Sequence, residues 1–235
     1  MPSVLQHSTG AEIIVTDNAS SDQSVPILRQ YFPQVRLIQL DDNYGFCGGY
    51  NRALKQVQAD YYVLLNSDIE VTANWLTPMI QLLDNNPDFA AVQPKILSFH
   101  HRTRFEHAGA GGGYVDSLGY PFCRGRIFDH MEEDTGQYND ELPVFWASGA
   151  CMMIRSETFH AFGGFDEDFF AHMEEIDLCW KLHRASQSIY YCGKSTIYHV
   201  GAGTLGYGNP RKVFLNFRNG LALIYKHFTS REILY

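Results

Sequence analysis

Residues 169–183, FFAHMEEIDLCWKLH, set three carboxylates into an aromatic and apolar run. On a helix of about 100° per residue, Glu174, Asp177 and Lys181 share one side at i, i+3 and i+7, with Asp177 and Lys181 spaced for an i,i+4 ion pair. That side reads as a solvated face. Ile176, Trp180 and His183 lie roughly opposite, as a core stripe does. Glu175 falls between the two faces, beside Leu178, Cys179 and Leu182, where a surface acid is less expected. Partial burial there raises the pKa of a carboxyl and makes it a better base. For a helix starting near Met173, all three acids also occupy the first turn, where the macrodipole favours negative charge by roughly 0.3–1 kcal/mol each. The stretch alone leaves two readings open: acids that start a helix, or an acid that moves a proton.

Two further acids follow short apolar runs. Asp17 ends EIIVTD, and Asp68 follows YYVLLN within LLNSD. Each could start a turn or cap a helix; Asp22 is the better cap for a helix beginning near Ser21. Their shared placement has another reading, because ligands of open α/β sheets bind beyond the carboxyl ends of strands. NYGFCGGYN, residues 43–51, carries Gly45, Gly48 and Gly49, which would let a ligand approach the backbone closely. It is neither a G-x-G-x-x-G nor a Walker sequence.

The elements that must position these groups are visible as alternating signals. Strands are expected at 12–17, 35–40, 61–66 and in FAAVQPKI, with helices through Tyr31, at 49–57 and from Thr72 to Asn85. Strands apolar on both faces that alternate with helices imply a parallel sheet covered on both sides. Residues 98–142 are rich in Gly, His, Arg and Tyr with little periodicity, and read as an ordered excursion or a mobile loop. A strand around VFWASGACMMI, the acidic helix, strands SIYYCG and TIYHV, and a helix over 211–227 complete the chain. MPSVLQHSTG reads as the end of a helix with Gly10 as its stop, so the expectation is a single domain over 1–235 lacking its first strand.

The 235 residues are 45% hydrophobic and 19% charged, which suits a folded domain. A net charge of −8 argues against binding bare nucleic acid. Five scattered cysteines without a C-x-x-C pair suit a reducing compartment, and no run reaches the ~20 apolar residues of a membrane span. The expectation is a cytoplasmic domain. His100, His101 and His107 lack the spacing of a zinc site.

Taken in order, EIIVTDNASSD, DDNYGFCGGYN, LLNSDIEV, FWASGACMMIRSETFHAFGGFDEDFFAHMEEIDLCWKLH and YHVGAGT resemble successive segments of the family 2 glycosyltransferases, nearest the rhamnosyltransferase-like subset. The resemblance implies an α/β GT-A fold, Rossmann-like, with a mostly parallel central sheet. It also implies a nucleoside-diphosphate sugar (UDP-, dTDP- or GDP-linked), a divalent metal such as Mg2+ or Mn2+, and inversion at the anomeric carbon. On that basis Asp17 reads the nucleobase, while Asn43, Gly45, Asn51 and Asp68 contact the nucleotide or donor. Asp68 matches the last Asp of the family's D-x-D motif, with Asn66 in place of the first, and His199 completes the metal site. Glu175 takes the position of the general base, as Glu where the family usually has Asp. Trp146, Ser148, Gly149 and Glu174 line the sugar and acceptor pocket, although Trp146 could equally be core.

Asp166 is expected to shape the turn into the acidic helix. Arg218 could reach the diphosphate or form a surface salt bridge. The implied reaction is hexosyl or rhamnosyl transfer to a glycan or lipid-linked acceptor in cell-surface polysaccharide synthesis. The inner face of the membrane is then an open location. A non-catalytic nucleotide-sugar-binding module is the alternative. A glycosidase would need two carboxylates flanking a glycosidic bond, and no such pair is marked.

Overall fold

The computed structural model describes residues 1–107, 109–201 and 209–233. In chain order, α1 (Pro2–His7) leads to β1 (Ile14–Asp17), α2 (Ser24–Tyr31), β2 (Arg36–Gln39), α3 (Gly45–Leu54), β3 (Tyr61–Leu65), β4 (Ile69–Val71), α4 (Leu76–Asn85) and β5 (Phe89–Ser98). Short strands β6 (Gly113–Val115), β7 (Pro121–Cys123), β8 (Arg126–Ile127) and β9 (His130–Met131) form two hairpins in the expected excursion. Then follow β10 (Glu141–Val144), β11 (Cys151–Arg155), α5 (Ser156–Ala161), a 3-10 turn (Glu167–Phe169), α6 (Glu174–Arg184), β12 (Ser188–His199), α7 (Pro210–His227) and α8 (Ser230–Ile233).

The central sheet is mixed, which corrects the mostly parallel expectation. Its order is β10-β12-β5-β11-β3, with β4 pairing the far end of β12. Only β12 and β5 run parallel within it; β11 is antiparallel to both β3 and β5, and β4 and β10 are antiparallel to β12. Apolar runs report that a strand is buried on both faces, and burial is indifferent to strand direction. β1 and β2 form a separate parallel pair.

Helices cover both faces of the sheet. Met152 and Ile154 of β11 join Leu64, Leu178, Leu182 and Tyr191 in one core, while Cys151 and Met153 join Trp75, Met79, Leu83 and Val92 in the other. The alternation follows from the period of two along a strand. β12 explains why SIYYCG and TIYHV read as two strands. Pro94 of β5 has no N–H to donate, and opposite it the register jumps from Cys192 to Thr196.

Candidate active site

The register of β4 on β12 builds one end of the site. Ile69 pairs with His199, and the Val200 amide donates to the Asp68 carbonyl at 3.0 Å. This sets the Asp68 side chain against the histidine, with Oδ1 3.2 Å from Nε2. The other ring nitrogen, Nδ1, lies 3.3 Å from Oε2 of the buried Glu106. Burial alone would pull the His199 pKa down; the two carboxylates outweigh it and push it up to about 9. The hydrogen bond from His199 in turn holds the Asp68 carboxyl below its ordinary range. Glu106 lies in the excursion with little periodicity, where no pattern in the sequence marks it. Of the YHVGAGT segment, residues 202–204 lie outside the described residues.

Asn66 carries the site onward from the metal-ligand candidates. Its amide donates to the Ala150 carbonyl at 3.0 Å, tying the end of β3 to the segment before β11. The neighbouring Gly149 faces the catalytic candidate: a Cβ built on it would stand 3.6 Å from Cδ of Glu175. Glu175 is half-buried, and its Oε2 is shut off from solvent without a hydrogen-bond partner, as is Oε2 of the buried Glu174. Burial raises the Glu175 carboxyl, opposed by backbone hydrogen bonds that include Gly149. Glu174 is driven further, by burial first and then by the charge of Glu175, and stands well above the usual glutamate range. Burial therefore pushes both carboxyls of the pair upward, and Glu174 the more strongly because it also feels the charge of Glu175.

The face that carries Glu174, Asp177 and Lys181 is not solvated, a second correction. Asp177 is fully buried. It pairs with Lys181 at 2.7 Å as the i,i+4 spacing predicts, and also with Lys226 at 2.7 Å and His227 at 2.8 Å of α7. The sequence of α6 shows its own faces but not which helix will cover them.

The entry into α6 is held in an uncommon backbone conformation. Phe170, His172 and Met173 all have φ between 63° and 72°. Asn219 of α7 fixes this loop by donating to the carbonyls of Phe169, Ala171 and His172 at 2.7–3.0 Å. Its neighbour Arg218 donates through Nη2 to the carbonyls of Asp168 and Phe169 and through Nε to Asn219. Asp166 accepts from the Asp168 amide and pairs with Lys226, shaping the turn as expected.

The start of α3 meets the same loop. Gly45 has φ +68°, and a Cβ there would lie 2.6 Å from the Phe170 ring. The amides of Phe46 and Cys47 donate to the Phe170 carbonyl, so that helix start is already capped by protein. Asn43 accepts from the Gly45 amide and from Asn18, whose own side chain also bonds Tyr44 and Gly45. Asp17, buried at the end of β1, accepts from the Ser20 amide at 3.3 Å. Asn51, expected at the donor, brackets the Phe165 backbone through both its amide atoms and reaches Glu167. Trp146 is core: its indole donates to the Tyr114 carbonyl and fills the space over Gly113. Ser148 is buried, its amide bonded to Gln93.

A mixed sheet flanked by helices, with an Asp–His pair and a buried carboxylate pair at its edge, defines an α/β fold of the GT-A type. It superposes on GalNAc-T7 solved with UDP, GalNAc and Mn2+ (TM-score 0.70, 13% identity, 95% of this chain and 44% of that one). It also superposes on a mannosyltransferase of Pyrobaculum calidifontis solved with GDP-Man and Mn2+ (TM-score 0.64, 14% identity, 97% and 59%). The glycosyl transferase family 2 profile matches residues 3–163, and the chain belongs to that family. Among curated relatives, it is 26% identical over 209 residues to the N-acetylglucosaminyl-diphospho-decaprenol L-rhamnosyltransferase of Mycobacterium tuberculosis, covering 83% of this chain and 68% of that protein. It is 25% identical over 216 residues to a low-salt glycan biosynthesis hexosyltransferase of Haloferax volcanii, covering 89% and 66%.

Proposed function

We propose that this chain is an inverting glycosyltransferase that moves a hexosyl group, with rhamnosyl the leading candidate, from a nucleoside-diphosphate sugar to the hydroxyl of a glycan or lipid-linked acceptor. The observation that carries this reading is the Glu174–Glu175 pair at the head of α6. There a buried and a half-buried carboxyl stand side by side, each with an oxygen shut off from solvent and lacking a hydrogen-bond partner, and burial raises both.

Glu175 would accept the acceptor's proton as the hydroxyl oxygen bonds to the anomeric carbon. The bond from that carbon to the diphosphate oxygen breaks, and the pair of electrons leaves with the diphosphate. Asp17 and the Asn18–Asn43 pair are suited to the nucleoside end, where β1 closes. Asp68 oxygen and His199 nitrogen are a donor set that fits Mg2+ or Mn2+, with Glu106 orienting the ring from behind. Among the described residues no cluster of three such side chains is arranged around a metal, so the remaining ligands would be diphosphate and water. When bound, the cation would offset the negative charge that grows on the leaving diphosphate.

Glu175→Gln tests the assignment. It should lower transfer by about 10²–10⁴-fold while leaving nucleoside-diphosphate binding in Mn2+ close to that of the wild type. Full activity in that variant overturns the base assignment. Metal-dependent nucleotide binding by the wild type, without turnover of any donor in a panel of nucleotide sugars, would favour a binding module instead.

A further inference from the structure

The outer side of α7 is an uncovered apolar surface. The inner side of this helix packs through Leu215, Asn219, Leu223 and His227. On the opposite side, Phe214, Phe217, Leu221 and Tyr225 follow one another at i, i+3, i+7 and i+11, and each is between 61% and 81% exposed. An apolar stripe on a helix ordinarily faces a partner rather than water. The stripe is extended by the tip of the β6–β7 hairpin, where Leu118 and Tyr120 are also exposed. Gly119 fixes the tip beside the helix, since a Cβ there would lie 3.0 Å from Ile224 and 3.3 Å from Phe228.

Charge accompanies the stripe. α7 contains Arg211, Lys212, Arg218 and Lys226 and no acidic residue, in a chain whose net charge is −8. Arg211, over the Phe170 ring, and Arg218, bonded to the inner loop, lie along one edge of the stripe, while Lys226 is turned to Asp166 and Asp177; the centre of the stripe stays apolar. Aromatic and aliphatic groups along one line, with two arginines on one edge, match the acyl boundary and headgroups of an anionic membrane. No helix among the described residues is long and apolar enough to cross a membrane.

We infer that the outer face of α7, with the β6–β7 tip, docks in the plane of an anionic phospholipid bilayer. The inner face of the same helix pins the loop that enters α6, through Asn219. A docked bilayer would therefore lie about one helix diameter, roughly 10 Å, from that loop. This suits an acceptor hydroxyl carried on a lipid. Only this last step rests on the proposed transfer reaction.

Vesicle flotation of the purified chain tests the surface, with phosphatidylcholine alone and with phosphatidylglycerol added. The chain should float with the anionic vesicles, more weakly with neutral ones and more weakly at high salt. The triple variant Phe214→Ser, Phe217→Ser, Leu221→Ser should bind at least about tenfold less while melting at a similar temperature, since these side chains face solvent. A wild type that stays in solution with anionic vesicles overturns the inference. So does a triple variant that floats as well as the wild type, or a wild-type dimer in solution that the triple variant abolishes. Donor turnover measured on the same samples separates the two readings: flotation without turnover leaves the surface standing and removes the transferase assignment.

Discussion

His199 carries a carboxylate at each ring nitrogen, Asp68 against Nε2 and Glu106 against Nδ1. The two acids therefore have different work. In the proposed metal site Asp68 and Nε2 would share the cation, and Glu106 would set the tautomer and orientation of the ring. Glu106→Gln should weaken Mn2+ binding by about 10–100-fold without removing it, and Asp68→Ala or His199→Ala should remove it. Calorimetric titration of Mn2+ in the presence of a nucleoside diphosphate would measure all three; equal losses for Glu106→Gln and Asp68→Ala would contradict the division.

Glu174→Gln should stabilise the fold. A carboxyl whose pKa is raised on folding costs stability once the unfolded chain ionises, above about pH 4.3, and costs nothing below it. The melting temperature of the variant should match the wild type in acid and exceed it at neutral pH. Each kcal/mol recovered should add about 2–4 °C. Since Gln mimics the protonated acid, donor turnover should change far less than in Glu175→Gln.

Asp177→Asn should do the reverse. Burial opposes the charge of Asp177, but His227, Lys181 and Lys226 hold its carboxyl well below the ordinary range. Its stabilisation is fully present above the unfolded value of about 3.9 and is lost as pH falls towards the folded one. Urea unfolding at neutral pH should show a loss of about 2–4 kcal/mol, less than for a wholly buried pair because Lys181 and Lys226 retain contact with water. The gap between variant and wild type should close as the pH drops below about 4.

Gly45→Ala places a Cβ where the Phe170 ring lies and forces a left-handed backbone on alanine. The strain should cost about 1–3 kcal/mol. Because Phe170 belongs to the loop that starts α6, turnover should fall by more than nucleotide affinity does. Chemical denaturation alongside steady-state kinetics would show whether the two effects travel together.

Much of the secondary structure was legible because burial and turn chemistry are local. The strands at β1, β2, β3 and β5 and the long α7 follow their apolar runs, and β12 was misread only where Pro94 interrupts its neighbour. Strand direction was not legible, because a doubly buried strand has the same pattern either way. Asp68, His199 and Glu175 stood at strand ends or off a helix face, where a polar residue conflicts with its surroundings, and family resemblance gave them roles. Glu106, Asn18 and Asn219 were missed because each acts on a partner distant in sequence. Asn51 and Trp146 also make contacts the sequence does not show, with the Phe165 backbone and the Tyr114 carbonyl.

The pairing of β4 with β12 also constrains how the chain acquires its chemistry. Residues 69–71 and 197–199 meet across most of the sequence, and closing so long a loop comes late when local contacts form first. A partly folded chain could own β1, α3 and β3 and still lack the Asp68–His199 pair. Cation binding would then be the last property to appear on refolding, and a probe of it would report completion of the whole domain.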